Sequence, residues 1–201
     1  STVYTFLWPG GECPVHLPVL GKHNVLNSLA ALAAADSLGV DPLAAAGQIS
    51  LYTPPAMRQQ VKRTGSVTIL DDSYNSSPDS VQSSLDVLRG LAAQEGGRRV
   101  AVLADMLELG DQSQKAHFDM GIAAARMGVD WLIGVGPKAQ AIAEAAKWAG
   151  IPIVHWCGET EEAVELLRSG LHPKDCVLVK GSRGMHTDRI VEGLLTDPNS
   201  R

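Results

Sequence analysis

Aromatic residues, cysteines and long apolar runs are all scarce in this sequence, and each shortage removes a class of protein. Two Phe, three Tyr and four Trp amount to 4% of the 201 residues. With alanine abundant, this fits helices packed closely against a sheet. The three cysteines, Cys13, Cys157 and Cys176, are odd in number and sit at no metal-ligand spacing. They read as reduced, mostly buried thiols of a cytoplasmic protein. The opening residues do not read as a signal peptide, and no apolar run nears the roughly 20 residues a membrane span needs. The formal net charge is −5 and no run of Lys and Arg occurs, so no nucleic-acid partner is expected. Chemical signatures are missing as well. There is no G-x-G-x-x-G between a strand and a helix, and no G-x-x-x-x-G-K-[ST] phosphate loop; Gly21-Lys22-His23 does not fit one. Nor is there a nucleophile elbow or an H-E-x-x-H zinc motif.

What is present has a clear rhythm. Thr2 to Trp8 alternates like a strand, Pro9-Gly10-Gly11 is a turn, and Pro14 to Leu20 is extended. So little precedes this first strand that the start reads as a domain boundary, with more chain expected upstream. Val25, Leu29, Leu32 and Ala33 recur at helical spacing until Gly39, and the short apolar stretch from Ser28 to Ala35 fits that packed helix. Asp41-Pro42 opens a second helix, and Tyr52-Thr53-Pro54-Pro55 breaks regular structure. A domain boundary is expected here, giving units 1–56 and 57–201.

Two short strands follow, Gln59 to Lys62 and Val67 to Leu70, close enough for a hairpin. Helices are predicted at 78–94 (capped by Ser77), 113–127, 138–149, 160–168 and 187–195. Strands are predicted at 99–104, 131–135, 151–155 and 176–179. Phe118, Ile122 and Ala125 mark one face of the helix at 113–127, and His117, Met120 and Met127 read as packing residues. Alternating strands and helices imply right-handed crossovers and a mainly parallel sheet covered on both faces. The fold class is therefore α/β and Rossmann-like, preceded by the end of a second α/β domain.

Ligands of open α/β sheets bind beyond the carboxyl ends of the strands. That rule selects Asp71 to Ser77, Asp105 to Gly110, Gly136 to Lys138 and Lys180 to Met185. The first segment ends a strand with two carboxylates, which suit ribose hydroxyls or a hydrated cation. As a loop acid beyond the strand, Asp72 is expected to matter little to the fold. The fourth segment combines glycines, the cations Lys180 and Arg183, and a following helix N-terminus, which makes an anion site. Asp105 to Gly110 by itself reads as a solvated acidic loop. His23-Asn24-Val25-Leu26-Asn27 places Asn24 and Asn27 on one face of a first helical turn. By spacing alone this is capping, though amides can also pair with an adenine edge.

Taken together, four stretches resemble the Mur ligases: Gly21-Lys22-His23-Asn24-Val25-Leu26-Asn27, Asp71-Asp72-Ser73-Tyr74-Asn75, Asp105-Met106-Leu107-Glu108-Leu109-Gly110 and Lys180-Gly181-Ser182-Arg183-Gly184-Met185. They run in order over almost the whole chain. The last three point to the members that add D-alanyl-D-alanine. The resemblance implies the end of the family's central ATP-binding domain (1–56) and its Rossmann-like C-terminal domain (57–201). It implies an ATP-dependent ligase of peptidoglycan synthesis, joining D-alanyl-D-alanine to UDP-N-acetylmuramoyl-tripeptide through an acyl phosphate. The cofactors implied are ATP and Mg2+, with the phosphate and metal ligands upstream of residue 1, so this chain alone is expected to be inactive. The enzyme implied is a cytoplasmic monomer with no membrane partner.

Residue by residue, His23, Asn24 and Asn27 match the stretch bordering the adenine. Arg58 matches an arginine that reaches the ATP phosphates. Asp72 matches the acid that holds the ribose hydroxyls. Tyr74, Asn75, Ser182 and Arg183 match loops facing nucleotide and dipeptide, with Tyr74 on the nucleotide side and the other three on the substrate side. The sequence departs from the family pattern at Ser76-Ser77, where Ala-Asn is usual, at Ala104, where glycine is usual, and at Gln59-Gln60. Two alternatives stand beside this reading: a stand-alone Rossmann-like module for a small anion, and a related amide ligase.

Overall fold

The computed structural model describes residues 1–196 and divides into two compact units, Ser1–Pro55 and Ala56 onward. In the first unit, β1 (Thr2–Trp8) and β2 (Gly11–Leu17) form an antiparallel hairpin with Trp8 opposite Gly11. Two helices follow, α1 (Lys22–Ser37) and α2 (Pro42–Ile49). Gly39, at φ 76, lies just beyond α1 in the left-handed region that glycine enters at no steric cost. Asp41 caps α2 by accepting the Ala44 N–H at 3.2 Å, and Pro42 occupies the first turn, where no donor is missed. Phe6, Val15, Leu32 and Ala46 form a small core. Of α1, Ser28 and Leu32 are buried, and Ala33 is exposed, contrary to the face expected of it.

The second unit is a six-stranded sheet in the order β3-β4-β8-β5-β6-β7. Its strands are β3 (Gln60–Thr64), β4 (Val67–Asp72), β5 (Arg99–Ala104), β6 (Trp131–Val135), β7 (Ile153–Cys157) and β8 (Cys176–Lys180). β3 pairs antiparallel with β4, as their short separation predicts, and every other pairing is parallel. The helices are α3 (Pro78–Glu95), α4 (Ser113–Arg126), α5 (Gln140–Trp148), α6 (Thr160–Gly170) and α7 (Asp188–Leu195). α3, α4 and α5 pack as one layer, and α6 and α7 pack together as the other. The expected α/β fold class is borne out.

The central strands β5, β6 and β8 are buried almost throughout because helices cover both faces. Ile69, Val102, Ile133, Val177 and Val179 are all 0% exposed. β7, at the sheet edge, is only partly buried, with Ile153 and Trp156 exposed and Cys157 buried. Ser77 caps α3 through a capping box with Ser80, and Gly96 ends that helix at φ 75. On α4 the sequence pattern misleads. Phe118 is exposed, and the buried residues are His117, Met120, Gly121 and Ala124. Gly121 explains the shift, since a Cβ there would lie 2.3 Å from the Ile142 carbonyl oxygen, so α5 packs on this face.

Candidate functional site

β8 lies between β4 and β5, so the loops after these three strands stand side by side although the ends of β4 and β8, Asp72 and Lys180, are 108 positions apart in the chain. The rim begins with Asp72, the last residue of β4, buried and paired with Lys180, the last residue of β8, at 2.5 Å. Asp72 Oδ2 also accepts from Ser84 Oγ on α3 at 2.6 Å, and Oδ1 accepts the Gln59 N–H at 3.2 Å. Lys180 donates a further bond to the Asn75 carbonyl at 3.0 Å. Burial pulls the Lys180 ammonium below its ordinary pKa, against the attraction of Asp72, and the nearby Arg58 charge pulls in the same direction as burial.

Two sequence expectations are corrected here. Asp72 is no dispensable loop acid; it neutralises a buried lysine. Lys180 is not a free cation of an anion loop, because it points inward at Asp72. The carboxylate of Asp72 offers about four lone-pair sites, and three are taken by Lys180, Ser84 and Gln59.

On the outer side of the pair, Arg58 lies over the Tyr74 ring with its guanidinium carbon 4.2 Å from the ring centre, a cation–π contact. Tyr74 N–H donates to the Met57 carbonyl at 3.1 Å, and Arg183 Nη1 reaches the Met57 sulfur at 3.3 Å and Asp188 at 3.4 Å. Arg58, Asp72, Tyr74, Asn75, Ser182 and Arg183, chosen from sequence, are thus brought along one rim. Met57 and Gln59, flanking Arg58, sit at φ 59 and 51, and Glu108 and His186 at φ 65 and 50. Among the described residues, four of the five non-glycine residues in left-handed backbone lie in the rim loops or flank Arg58 and Arg183, and such local strain concentrates at functional sites. The fifth, Lys174, precedes β8 at the opposite end.

Of the two acids in the loop after β5, Glu108 is exposed as a solvated loop acid should be, whereas Asp105 is not, which corrects that part of the expectation. Asp105 is 2% exposed, and its Oδ1 accepts the Ala139 N–H at 2.7 Å. This carboxylate therefore satisfies the amino end of α5. Gly136, at φ 99, makes the approach possible, since a Cβ there would lie 2.8 Å from Asp105 Oδ1. Ser182 N–H donates to the Asp105 carbonyl at 3.1 Å, and Ser182 Oγ accepts the Leu107 N–H at 2.8 Å. The segment after β8 does not run straight into a helix. A 3-10 turn, Arg183–Met185, intervenes before α7, so Arg183 rather than a helix N-terminus carries its positive charge outward. Ala104 fits beside Gly181, where an added Cβ would stand 2.8 Å from the Ala104 methyl.

His23, Asn24 and Asn27 belong to the first unit, at the start of α1, where Asn24 Nδ2 donates to the Leu20 carbonyl at 2.7 Å. The sequence reading did not assign roles to Ser84, Gln59 or Asp105. The signals for Asp105 were its place at a strand end and in a stretch that resembles the Mur ligases. Among the described residues no group of three or more His, Cys, Asp or Glu is placed to hold a metal ion, and no helix is long and apolar enough to cross a membrane.

Comparison with known proteins gives the same direction. The ligase of Bacillus subtilis named UDP-N-acetylmuramoyl-tripeptide–D-alanyl-D-alanine ligase is 32% identical over 97% of this chain and 43% of its own length. The Escherichia coli protein of the same name is 34% identical over 96% of this chain and 42% of its own length. This chain therefore spans about two fifths of the relatives it matches. A crystal structure of MurF from Acinetobacter baumannii superposes with a TM-score of 0.84 at 28% identity, covering 97% of this chain and 42% of that one. The MurF ligase of Thermotoga maritima in complex with ADP gives a TM-score of 0.79 at 25% identity, covering 96% of this chain and 43% of that one. A family model described as Mur ligase, glutamate ligase domain, matches residues 57–183. That match takes in more than half of the chain and all the rim from Arg58 to Arg183, and by it this chain belongs to the Mur ligase family.

Proposed function

We propose that the full-length protein joins D-alanyl-D-alanine to UDP-N-acetylmuramoyl-tripeptide at the expense of ATP. The observation that carries this reading is relatives of that name, 32% and 34% identical over nearly the whole chain. Residues 1–56 are read as the end of the central ATP-binding domain. The division of the chain into compact units at Pro55 and Ala56 supports this. Residues 57–201 are read as the closing domain.

In this reading the tripeptide carboxylate oxygen attacks the terminal phosphorus of ATP, and ADP leaves. The dipeptide amine then attacks the acyl carbon, losing a proton as the amide forms and phosphate departs. Arg58 is exposed beside Tyr74, between Met57 and Gln59 in left-handed backbone, and a guanidinium suits a transferring phosphoryl group. The remaining acceptor site of Asp72 fits one ribose hydroxyl without displacing Lys180. Tyr74 borders the nucleotide, and Asn75, Ser182 and Arg183 face the dipeptide, whose carboxylate suits the outward Arg183. His23, Asn24 and Asn27 border the adenine. Phosphates and Mg2+ are assigned to the chain preceding residue 1. A UDP-linked substrate and ATP support a cytoplasmic enzyme, which we read as a monomer.

Such a division of labour requires domain closure. The isolated 201-residue chain is therefore expected to form no product from ATP, tripeptide precursor and dipeptide, while the full-length protein does. Turnover by the isolated chain, or none by the full-length protein with these three substrates, would refute the assignment.

A further inference from the structure

We propose that His117 is a positioning residue for the dipeptide side of the rim, acting through the backbone of Met106; this rests on the ligase reading above. His117 lies on α4, 0% exposed, and its hydrogen-bond partners, Met106 and Ser113, are not residues assigned to substrate. Its Nε2 accepts the Met106 N–H at 2.9 Å, and its Nδ1 lies 2.7 Å from the Ser113 carbonyl oxygen. These two bonds define the ring. An amide N–H only donates, so Nε2 carries no proton; a carbonyl only accepts, so Nδ1 carries one. Ser113 Oγ, at 3.5 Å from Nδ1, adds a long second contact and does not change that assignment.

Met106 is the middle residue of the stretch that holds Ser182. Asp105, before it, offers its carbonyl to Ser182 N–H, and Leu107, after it, donates its N–H to Ser182 Oγ. Asp105 is further tied to the amino end of α5, and Glu108 beyond is in left-handed backbone. The Met106 side chain is buried, so its amide has no route to water. Without an acceptor at Nε2 that amide is unpaired inside the protein, and the neighbouring peptides must move to satisfy it. The displacement falls on Ser182, and through it on Arg183. On the nucleotide side, Asp72 bonds to Lys180, Ser84 and Gln59, outside this network, and Tyr74 meets it through Met57, whose sulfur, a weak acceptor, Arg183 touches.

The test has two arms. In the 201-residue chain at pH 7, long-range 1H–15N spectra are expected to show a neutral His117 ring protonated at Nδ1, with a Met106 amide protected from exchange at least a hundredfold more than that of exposed Glu108. An imidazolium, an Nε2–H ring or an unprotected Met106 amide overturns the proposal. In the full-length ligase, His117→Leu is expected to raise the dipeptide KM tenfold or more with the ATP KM changed less than twofold. His117→Gln, whose amide oxygen reaches where Nε2 stood, is expected to return the dipeptide KM to within threefold of wild type. Equal shifts for both substrates, or no rescue by glutamine, overturn it. Should His117→Leu not fold, His117→Asn replaces it, since the shorter amide reaches Ser113 but not Met106. A wild-type enzyme inactive with this dipeptide would sink the ligase reading instead, and the spectroscopic arm would still decide the ring.

Discussion

Replacing Asp72 with alanine tests the central claim about the rim, because the structure and the sequence forecast different outcomes. Lys180 is 2% and Asp72 10% exposed at their side chains, and their 2.5 Å contact lies within the sheet end. Removing one partner of such a pair leaves a buried uncompensated charge, which costs about 3–5 kcal/mol. Native stabilities are about 5–15 kcal/mol, so the loss is a large fraction of the whole. With a urea slope of roughly 2 kcal/mol per molar, the unfolding midpoint of Asp72→Ala is expected to fall by about 2 M. The double variant Asp72→Ala/Lys180→Met removes the orphaned charge and is expected to recover most of the loss, since apolar replacements of buried pairs are often neutral.

The pH dependence has a definite sign. Lys180 already titrates below its ordinary 10.5 in the folded protein, and without Asp72 it is held lower still. Between that lowered value and 10.5 the unfolded chain binds more protons, so stability rises with pH. The gap between the single and double variants therefore narrows as pH rises toward 10.5. A loss below about 1 kcal/mol, the level of an exposed ion pair, or a double variant no more stable than the single one, would refute the reasoning.

Arg58 is exposed, so Arg58→Ala is expected to leave the melting temperature within about 2 °C while lowering kcat of the full-length enzyme by about a thousandfold or more; rapid quench of product formation checks it. Arg183→Ala is expected to raise the dipeptide KM with the ATP KM unchanged, measured by steady-state kinetics, and a defect in ATP alone would reassign that loop. Burial pushes the Cys157 and Cys176 thiols up to about 11, so at pH 8 about one part in a thousand is thiolate. Iodoacetamide followed by peptide mass mapping is expected to label half-buried Cys13 first, and early labelling of Cys176 would contradict the burial.

Much of the fold is legible along the chain because its signals are local. Capping by Asp41 and Ser77 and the stop at Gly39 follow from side-chain and backbone chemistry within a few residues. The runs Arg99–Ala104 and Trp131–Val135 were read with the bounds observed, since doubly covered strands are continuously apolar. The edge strand β7 begins at Ile153, two residues later than expected, because one-sided exposure removes that signal. The face of α4 was misread because periodicity alone does not say that Gly121, rather than Phe118, admits a neighbouring helix.

The sequence by itself determined the rhythm of strands and helices, the strand ends where a ligand rim must lie, and a set of segments specific enough to name a family. Only the tertiary structure decided what the rim residues do for one another. Insertion of β8 between β4 and β5 set Lys180 against Asp72 and Ser182 against Asp105, contacts made across 108 and 77 positions of chain. Long-range pairing of this kind leaves no periodic trace, since each partner alone is an ordinary turn residue. Its meaning arises from burial, which makes an unpaired charge or amide costly. That is why Asp72 reads as a loop acid in one dimension and holds a buried lysine in three.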